Sequence, residues 1–198
     1  EDLGGGLWVL TTPLTSISPA GQGRFGTAVG AAEGMLVVGA PQEGAGDPQN
    51  FQRGAAYRIP IADGIAGAAQ LLRPAANQAG DRFGASVAVR GGVVVVGSPQ
   101  ATTSAGSQSG AATVYRPDTN GNLVEQTTLV PAPGAQQGAG SALTTNGDII
   151  VMGAPSATVG GISQRGRAYV YDVEDRYSAA ELPLALLENT PGESNDQF

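Results

Sequence analysis

The residues that could perform acid–base or metal chemistry in this chain are carboxylates, because the sequence contains neither histidine nor cysteine. Ser-His-Asp and Cys-His catalysis are therefore excluded within the chain, as are zinc sites built from imidazole or thiolate. Paired carboxylates can still act as acid and base, but none of them falls in a recognisable catalytic pattern. We predict solvated surface groups and no catalytic residue. The acids considered are Glu33, Glu43, Asp47, Asp63, Glu174, Asp175, Glu181 and Glu188.

Two segments match ligand-binding motifs superficially. Residues 118–122 read Asp-Thr-Asn-Gly-Asn, which offers oxygen ligands but lacks the distal bidentate glutamate of a calcium loop. We interpret this segment as a hairpin turn, since Asn-Gly pairs favour tight turns. Residues 21–26 match G-x-G-x-x-G by letter, but they precede a predicted strand instead of a helix. They therefore predict no phosphate site.

Composition narrows the possible partners. The net charge is −7 and all ten basic residues are arginines, whereas nucleic-acid binding usually needs a basic stripe and anionic lipid attracts basic segments. We therefore predict no nucleic-acid partner. The sequence has no run of 18 apolar residues, so it predicts no membrane span. Because Glu1 is not a start methionine, we expect the numbering to begin inside a longer product.

Three segments of the chain line up with a period of about 57 residues. In each, an apolar run ends in Gly-Ala-Pro or Gly-Ser-Pro, and this step begins at Gly39, Gly97 and Gly153. The first two segments open with Phe-Gly. The third has Ala139-Gly140 instead, where we expect a looser contact between units. A period of this size is typical of a supersecondary unit that needs its neighbours to bury its faces.

Each repeat is predicted to form four short strands. The second strand of the middle repeat, at residues 93–96, is an unbroken run of valines, which we expect to be buried on both faces. The short turn before it, at residues 90–92, predicts a tight hairpin. A weak helical period at residues 177–187 is set aside in favour of a strand by alignment of the repeats. The other predicted strands cover residues 55–59, 69–72, 83–89, 111–115, 123–129, 167–172 and 182–187.

The spacing of the Phe-Gly and Gly-Ala/Ser-Pro motifs, at Phe25 with Gly39 and at Phe83 with Gly97, resembles the FG-GAP repeat. That repeat builds the β-propeller of integrin α-subunits and of many bacterial surface proteins. The resemblance covers nearly the whole chain, and residues 81–99 are its cleanest copy. It implies an all-β fold, a β-propeller of four-stranded antiparallel blades, usually seven to a ring.

The resemblance also implies an organisation of the chain. We expect residues 1–198 to be a single β-propeller segment with repeats at approximately 25–82, 83–138 and 139–197. Residues 1–24 would hold the last strand of a preceding blade, around Trp8, and its connecting loop. Three blades and one strand cannot close a ring, which takes at least four blades. We therefore expect further blades from the same polypeptide or from another copy.

Calcium is the best-known ligand of this family, and it occupies Asp-x-Asp-x-Asp-Gly turns between the first two strands of integrin-type blades. The matching turns here, at residues 32–34, 90–92 and 146–148, are short and carry one carboxylate at most. Because hard cations need several oxygen ligands, we do not transfer the calcium sites. We predict no cofactor and no metal.

The resemblance implies a non-catalytic extracellular or cell-surface module for binding, adhesion or structure. In family members the loops between strands two and three, and between strands four and one, share the face that binds partners. We expect a protein or glycan partner there. Phe51 is a candidate anchor for that partner, or a lid over its own loop. The candidate loop residues are Gln42, Glu43, Asp47, Phe51, Arg53, Gln100, Gln108, Gln164 and Arg165.

Two alternatives remain open at this stage. A lectin-like propeller would bind sugars on aromatic platforms, for which the sequence offers Trp8, Tyr57, Tyr169 and Tyr171. An accessory propeller would instead belong to a longer enzyme whose catalytic residues lie outside these residues.

Overall fold

The computed structural model describes residues 13–16, 22–44, 47–172 and 185–188, and the predicted strand around Trp8 lies outside them. Within these ranges there are thirteen β-strands and no helix, so no described helix could cross a membrane. The prediction of an all-β chain is confirmed. The strands are β1 (Ala28–Ala32), β2 (Met35–Ala40), β3 (Ala55–Ala62), β4 (Ile65–Ala66), β5 (Gln70–Leu72), β6 (Ser86–Arg90), β7 (Val93–Ser98), β8 (Ala111–Pro117), β9 (Leu123–Leu129), β10 (Ala142–Thr145), β11 (Ile149–Ala154), β12 (Arg167–Asp172) and β13 (Ala185–Glu188).

The strands form three antiparallel sheets of consecutive strands. The second sheet has the order β6-β7-β8-β9 and the third has the order β10-β11-β12-β13. In the first sheet β1-β2-β3 is followed by β5, which pairs with the beginning of β3. Each sheet is therefore a meander in which neighbours in sequence are neighbours in space.

The first sheet departs from the predicted pattern at the end of its third strand. β3 continues beyond the predicted 55–59 to Ala62 and pairs with the unpredicted two-residue strand β4. The turn between them is Asp63-Gly64, with φ of 50° and 76°, and two left-handed residues are typical of a type I′ hairpin. Ile65 follows the turn, so an Asp-Gly pair between two apolar stretches was a signal for this hairpin.

A polar side chain closes the predicted turn at residues 118–122. In residues 118–122 the carboxylate oxygen Oδ1 of Asp118 accepts hydrogen bonds from the backbone N–H of Asn120 and Asn122, at 2.8 and 2.9 Å. Gly121 completes the turn with φ of 80°. The interpretation of this segment as a hairpin turn is confirmed, because its carboxylate is used by the turn itself.

The second sheet lies between the other two, so the valines of β7 are buried on both sides, as predicted. Val94 and Val96 pack with Val37 of the first sheet. Val93 and Val95 are in the cluster that contains the hydrophobic residues of the third sheet. Alternation along a strand sends successive side chains to opposite faces, and here both faces meet apolar neighbours. The third-sheet residues in that cluster are Ile150, Met152, Ala154, Tyr169 and Tyr171.

The Phe-Gly motif of the second repeat locks into the first sheet through its main chain. The N–H of Phe83 donates to the carbonyl oxygen of Arg53, next to β3, at 3.1 Å, while the N–H of Gly84 donates within its own sheet, to Gly97 of β7, at 3.0 Å. A β-carbon on Gly84 would overlap the carbonyl oxygen of Ala55. The backbone therefore approaches at a distance that only glycine allows.

Glycine is required on the opposing backbone as well. A β-carbon on Gly39 would overlap the carbonyl oxygen of Gly84, and one on Gly54 would overlap that of Phe83. We call this contact of Gly39, Gly54 and Gly84 the first glycine interlock. It explains why the Gly-Ala-Pro step and the Phe-Gly step of successive repeats occur together.

A second glycine interlock joins the second and third sheets through Gly97, Gly110 and Gly140, where β-carbons would again meet backbone carbonyls. Ala139 replaces the phenylalanine here, yet its N–H donates to Ser109 at 3.0 Å and it is fully buried. The expected looser contact is not seen in the backbone, because the interlock is made by main-chain atoms.

Candidate functional site

Two kinds of loop meet at one end of the first two sheets. One kind links the second and third strands of a sheet, and the other links one sheet to the next. The carbonyl oxygens of Phe51 and Gln52 accept hydrogen bonds from the N–H groups of Gly80 and Arg82, at 2.8 and 3.0 Å. We call these loops the loop face; their described residues are 41–44, 47–54, 73–85, 99–110, 130–141 and 155–166.

The same main-chain pairing recurs one sheet further on. Gly134 donates to Ala105 at 2.8 Å and Gln136 donates to Ser107 at 2.9 Å. Loops held by main-chain bonds display their side chains on a fixed backbone, which suits recognition of a partner.

A glutamine with a left-handed backbone recurs in all three loops between second and third strands. Gln52, Gln108 and Gln164 have φ of 48°, 48° and 58°. Non-glycine residues adopt this region at a cost and persist there when their surroundings determine it. Each of them stands two residues before a glycine. The sequence prediction left out Gln52. The shared Gln-x-Gly spacing is the signal that could have identified it as the equivalent of Gln108 and Gln164.

Asp47 and Phe51 of the predicted set reach solvent. The carboxylate of Asp47 accepts hydrogen bonds from the side-chain amide of Asn50 at 2.6 Å and the N–H of Gln49 at 2.9 Å. These bonds, that of Asn50 foremost, hold the pKa of Asp47 below its usual value. The ring of Phe51 is 49% exposed. The first loop therefore displays an ionised acid and, four positions further on, an apolar ring.

The structure does not place Glu43 on the surface. Its side chain is only 7% exposed; one carboxylate oxygen accepts a hydrogen bond from the hydroxyl of Tyr57, and the other pairs with Arg73 at 2.8 Å. A carboxylate under a loop needs such partners, because an unpaired buried charge is costly. The prediction of Glu43 as a partner-binding residue is corrected: it fastens its loop to the sheet.

Three further predicted residues are half-buried. Arg53 donates from Nε to the carbonyl oxygen of Asn77 at 2.8 Å and from Nη1 to Asn50 at 3.2 Å. Gln42 and Gln100 are held through their backbone N–H groups, which donate to Gly23 and Asp81 at 3.1 and 3.4 Å. These residues lie within the loop face and are partly available to a partner.

In the second and third loops the glutamines and the arginine differ in exposure. Gln108 and Gln164 are exposed. Arg165 is only 8% exposed, and its guanidinium lies within 4 Å of where a side chain on Gly160 would begin. The prediction of Arg165 as a surface contact is corrected, because the arginine fills the interior of its own loop.

The aromatic platforms expected for a lectin are not on the surface. Tyr57, Tyr169 and Tyr171 are each at most 2% exposed, and Trp8 lies outside the described residues. The hydroxyl of Tyr169 donates to Gln137 in the core. The tyrosines therefore stabilise the sheets and offer no stacking surface for a sugar.

The acidic residues are spread out. Within the described ranges no three Asp or Glu side chains gather to form a metal site. Glu33 binds backbone instead: its two oxygens accept hydrogen bonds from the N–H groups of Gly91 and Gly92, at 2.6 and 2.7 Å. Of the acids considered from the sequence, 174, 175 and 181 lie outside the described residues.

A family model of the FG-GAP repeat matches residues 69–115. This stretch begins next to β5, the last strand of the first sheet, and ends in β8. It includes Phe83 and Gly84, which contact the first sheet, and Gly97 of the second interlock. A search of curated proteins found no match to the chain.

Proposed function

We propose, from the FG-GAP repeat that the chain carries, that this protein is a non-catalytic extracellular module for binding or adhesion. The observation that carries the proposal is the loop face: three successive loops with equivalent left-handed glutamines, held by main-chain bonds on sheets that glycines lock together. Such a rigid display of polar side chains around an exposed aromatic ring is suited to recognition.

The contact set of this proposal is the part of the loop face that reaches solvent. Phe51 supplies an apolar anchor and Asp47 a charge, while Gln108 and Gln164 supply amide donors and acceptors. With Asp47 ionised and a chain charge of −7, a partner with basic groups opposite the first loop is favoured by charge complementarity.

Binding to immobilised extracellular-matrix proteins and to a glycan array tests this proposal. The triple variant Phe51→Ala, Gln108→Ala, Gln164→Ala should weaken a detected interaction by about tenfold or more. Val124→Ser is the control, since Val124 is 40% exposed on β9, away from the loop face. Equal loss in both variants, or no binding to any protein or glycan, would count against the proposal.

We also propose that the three sheets are blades of a β-propeller completed by further blades. Val29 on the outer side of the first sheet is 71% exposed, beside a cavity of about 410 Å³ lined by Leu14, Phe25 and Leu36 among others. Gly26 has φ of 92°, like Gly84, but a β-carbon on it would meet no atom of the described residues within 4 Å. A further sheet packed here would complete the interlock at this position.

Native mass spectrometry tests this completion. A species heavier than the 19.7 kDa of these residues, whether a longer polypeptide or an assembly of copies, is the expected result. A stable native monomer of that mass would contradict the closed propeller.

A further inference from the structure

The sequence contains two Asn-Gly pairs, at Asn120-Gly121 and Asn146-Gly147. Each asparagine is exposed in a turn between two strands, the first between β8 and β9 and the second between β10 and β11. Such a pair is chemically reactive, because glycine has no side chain to shield its backbone nitrogen from the amide of the preceding asparagine. The two pairs therefore place one reaction in two environments of the same chain.

The side chain of Asn146 is held by its own turn. Its Oδ1 accepts hydrogen bonds from the backbone N–H groups of Asp148 and Ile149, at 2.9 and 2.8 Å. Turning Cγ of Asn146 towards the nitrogen of Gly147 would move this oxygen away from both donors, and hydrogen bonds weaken steeply when their geometry is lost. A reaction at Asn146 therefore costs two hydrogen bonds.

Asp118 does the same work in the turn that contains Asn120. The Oδ1 atom of Asp118 accepts hydrogen bonds from the N–H groups of Asn120 and Asn122, and a carboxylate has no amide group to lose. The side chain of Asn120 itself makes no hydrogen bond within the part of the chain that the structure describes. It can therefore exchange among its rotamers at little cost.

The two backbone nitrogens that would attack are held alike. The N–H of Gly121 donates to the carbonyl oxygen of Asp118 at 3.0 Å, and the N–H of Gly147 donates to the hydroxyl of Thr145 at 3.1 Å. Each glycine must give up one hydrogen bond before it reacts. The difference between the two sites therefore lies in the asparagine side chains.

We propose that Asn120 is a site of spontaneous deamidation and that the turn around Asn146 protects that residue from the same reaction. The nitrogen of Gly121 gives its proton to water or hydroxide and forms a bond to Cγ of Asn120. The bond from Cγ to Nδ2 then breaks, and Nδ2 takes a proton from water and leaves as ammonia. Water opens the resulting succinimide to aspartate or isoaspartate, so the reaction needs no reagent besides water.

The modification changes both the charge and the backbone of its turn. Either product adds a carboxylate two positions from that of Asp118, and like charges repel. Isoaspartate also adds a methylene group to the main chain. β8 begins after the loop that ends at Gly110 and finishes at Pro117, so the modified turn lies at the end of the second sheet away from the loop face. The inference therefore stands independently of the proposed binding function.

Incubation of the purified chain at mildly alkaline pH, followed by mass spectrometry, tests the proposal. Cleavage after Glu125 separates the two sites, and each is followed by the mass increase that accompanies replacement of an amide by a carboxyl group. In the folded chain Asn120 should convert about tenfold faster than Asn146 or more, since the slower site gives up two further hydrogen bonds. In concentrated urea, where neither turn exists, the two rates should be similar.

Asn120→Gln is the control variant, because glutamine keeps an amide but must close a larger ring, which forms slowly. It should abolish conversion at this position and leave the rate at Asn146 unchanged. Equal rates at the two sites of the folded chain, or the same preference for Asn120 in urea, would show that the turns do not decide the outcome and would overturn the proposal. An Asn120 that stays intact in the folded chain while the unfolded chain converts would overturn it as well.

Discussion

A side chain on Gly39 would overlap the carbonyl oxygen of Gly84, 45 positions further along the chain and in the next sheet. Gly39 belongs to the Gly-Ala-Pro step and Gly84 to the Phe-Gly step of the repeated motif. The motif residues are therefore the residues that make the contact between sheets. The same relationship joins Gly97 to Gly140. The contact therefore repeats with the sequence, and each sheet positions the loops of the next.

Removing the buried carboxylate of Glu43 should destabilise the first loop. Glu43→Ala leaves the hydroxyl of Tyr57 and the guanidinium of Arg73 without their partner. We expect the free energy of unfolding to fall by about 2 kcal/mol, measured by urea denaturation. Asp148→Ala removes an exposed carboxylate and should change stability by less than about 0.5 kcal/mol. Similar losses of unfolding free energy in both variants would show that the buried contacts of Glu43 do not stabilise the loop.

Glu33 should contribute to the junction between the first two hairpins. Its carboxylate receives the N–H groups of Gly91 and Gly92 from the next sheet, so Glu33→Ala should lower the free energy of unfolding by about 1 kcal/mol. Asp148→Ala serves as the control in the corresponding turn of the third sheet, where the backbone N–H of Asp148 donates to Asn146. An unchanged Glu33→Ala variant would contradict a role for this bond in joining the sheets.

Alkaline pH should weaken the fold through its buried tyrosines. Burial, with the hydrogen bond to Glu43, raises the pKa of Tyr57 to about 12, against about 10 in an unfolded chain. As pH rises, the Tyr57 hydroxyl therefore loses its proton in the unfolded state before it does so in the folded state. The stabilisation that this residue gives below pH 10 is lost as the pH rises from 10 towards 12. The titration of Tyr57 lowers the free energy of unfolding by at most about 1.4 kcal/mol per pH unit. Burial also raises the pKa of Tyr115 and Tyr171, which extends the decline.

Urea midpoints between pH 8 and 11.5, recorded with tyrosine absorbance, measure this dependence. Tyr57→Phe should show a shallower decline than the unaltered chain, because it removes one of the titrating groups. A midpoint that stays constant above pH 10 would contradict the burial of the tyrosines.

The period of the motifs was enough to predict the strands, because turns and apolar runs are local signals. β9 and β12 match their predicted bounds, and β7 extends the predicted 93–96 by two residues to Ser98. β4 was missed because alignment of the repeats favoured their common pattern over an Asp-Gly hairpin found only in the first. The strand predicted at 182–187 is found at Ala185–Glu188.

The loop residues could be located from the sequence, but their exposure could not. Glu43 is buried because Tyr57 and Arg73 reach it from strands and connections further along the chain, and no local pattern carries that information.

The most direct test of the glycine interlock compares Gly84→Ala with Gly80→Ala. Both glycines have a left-handed backbone, with φ of 90° and 89°. Among the described residues, a β-carbon on Gly84 would overlap the carbonyl oxygen of Ala55, whereas one on Gly80 would meet no atom within 4 Å. Gly80→Ala should cost about 1–2 kcal/mol from backbone strain alone. Gly84→Ala should cost about 3 kcal/mol more, or fail to fold. Equal losses of unfolding free energy in the two variants would contradict the interlock.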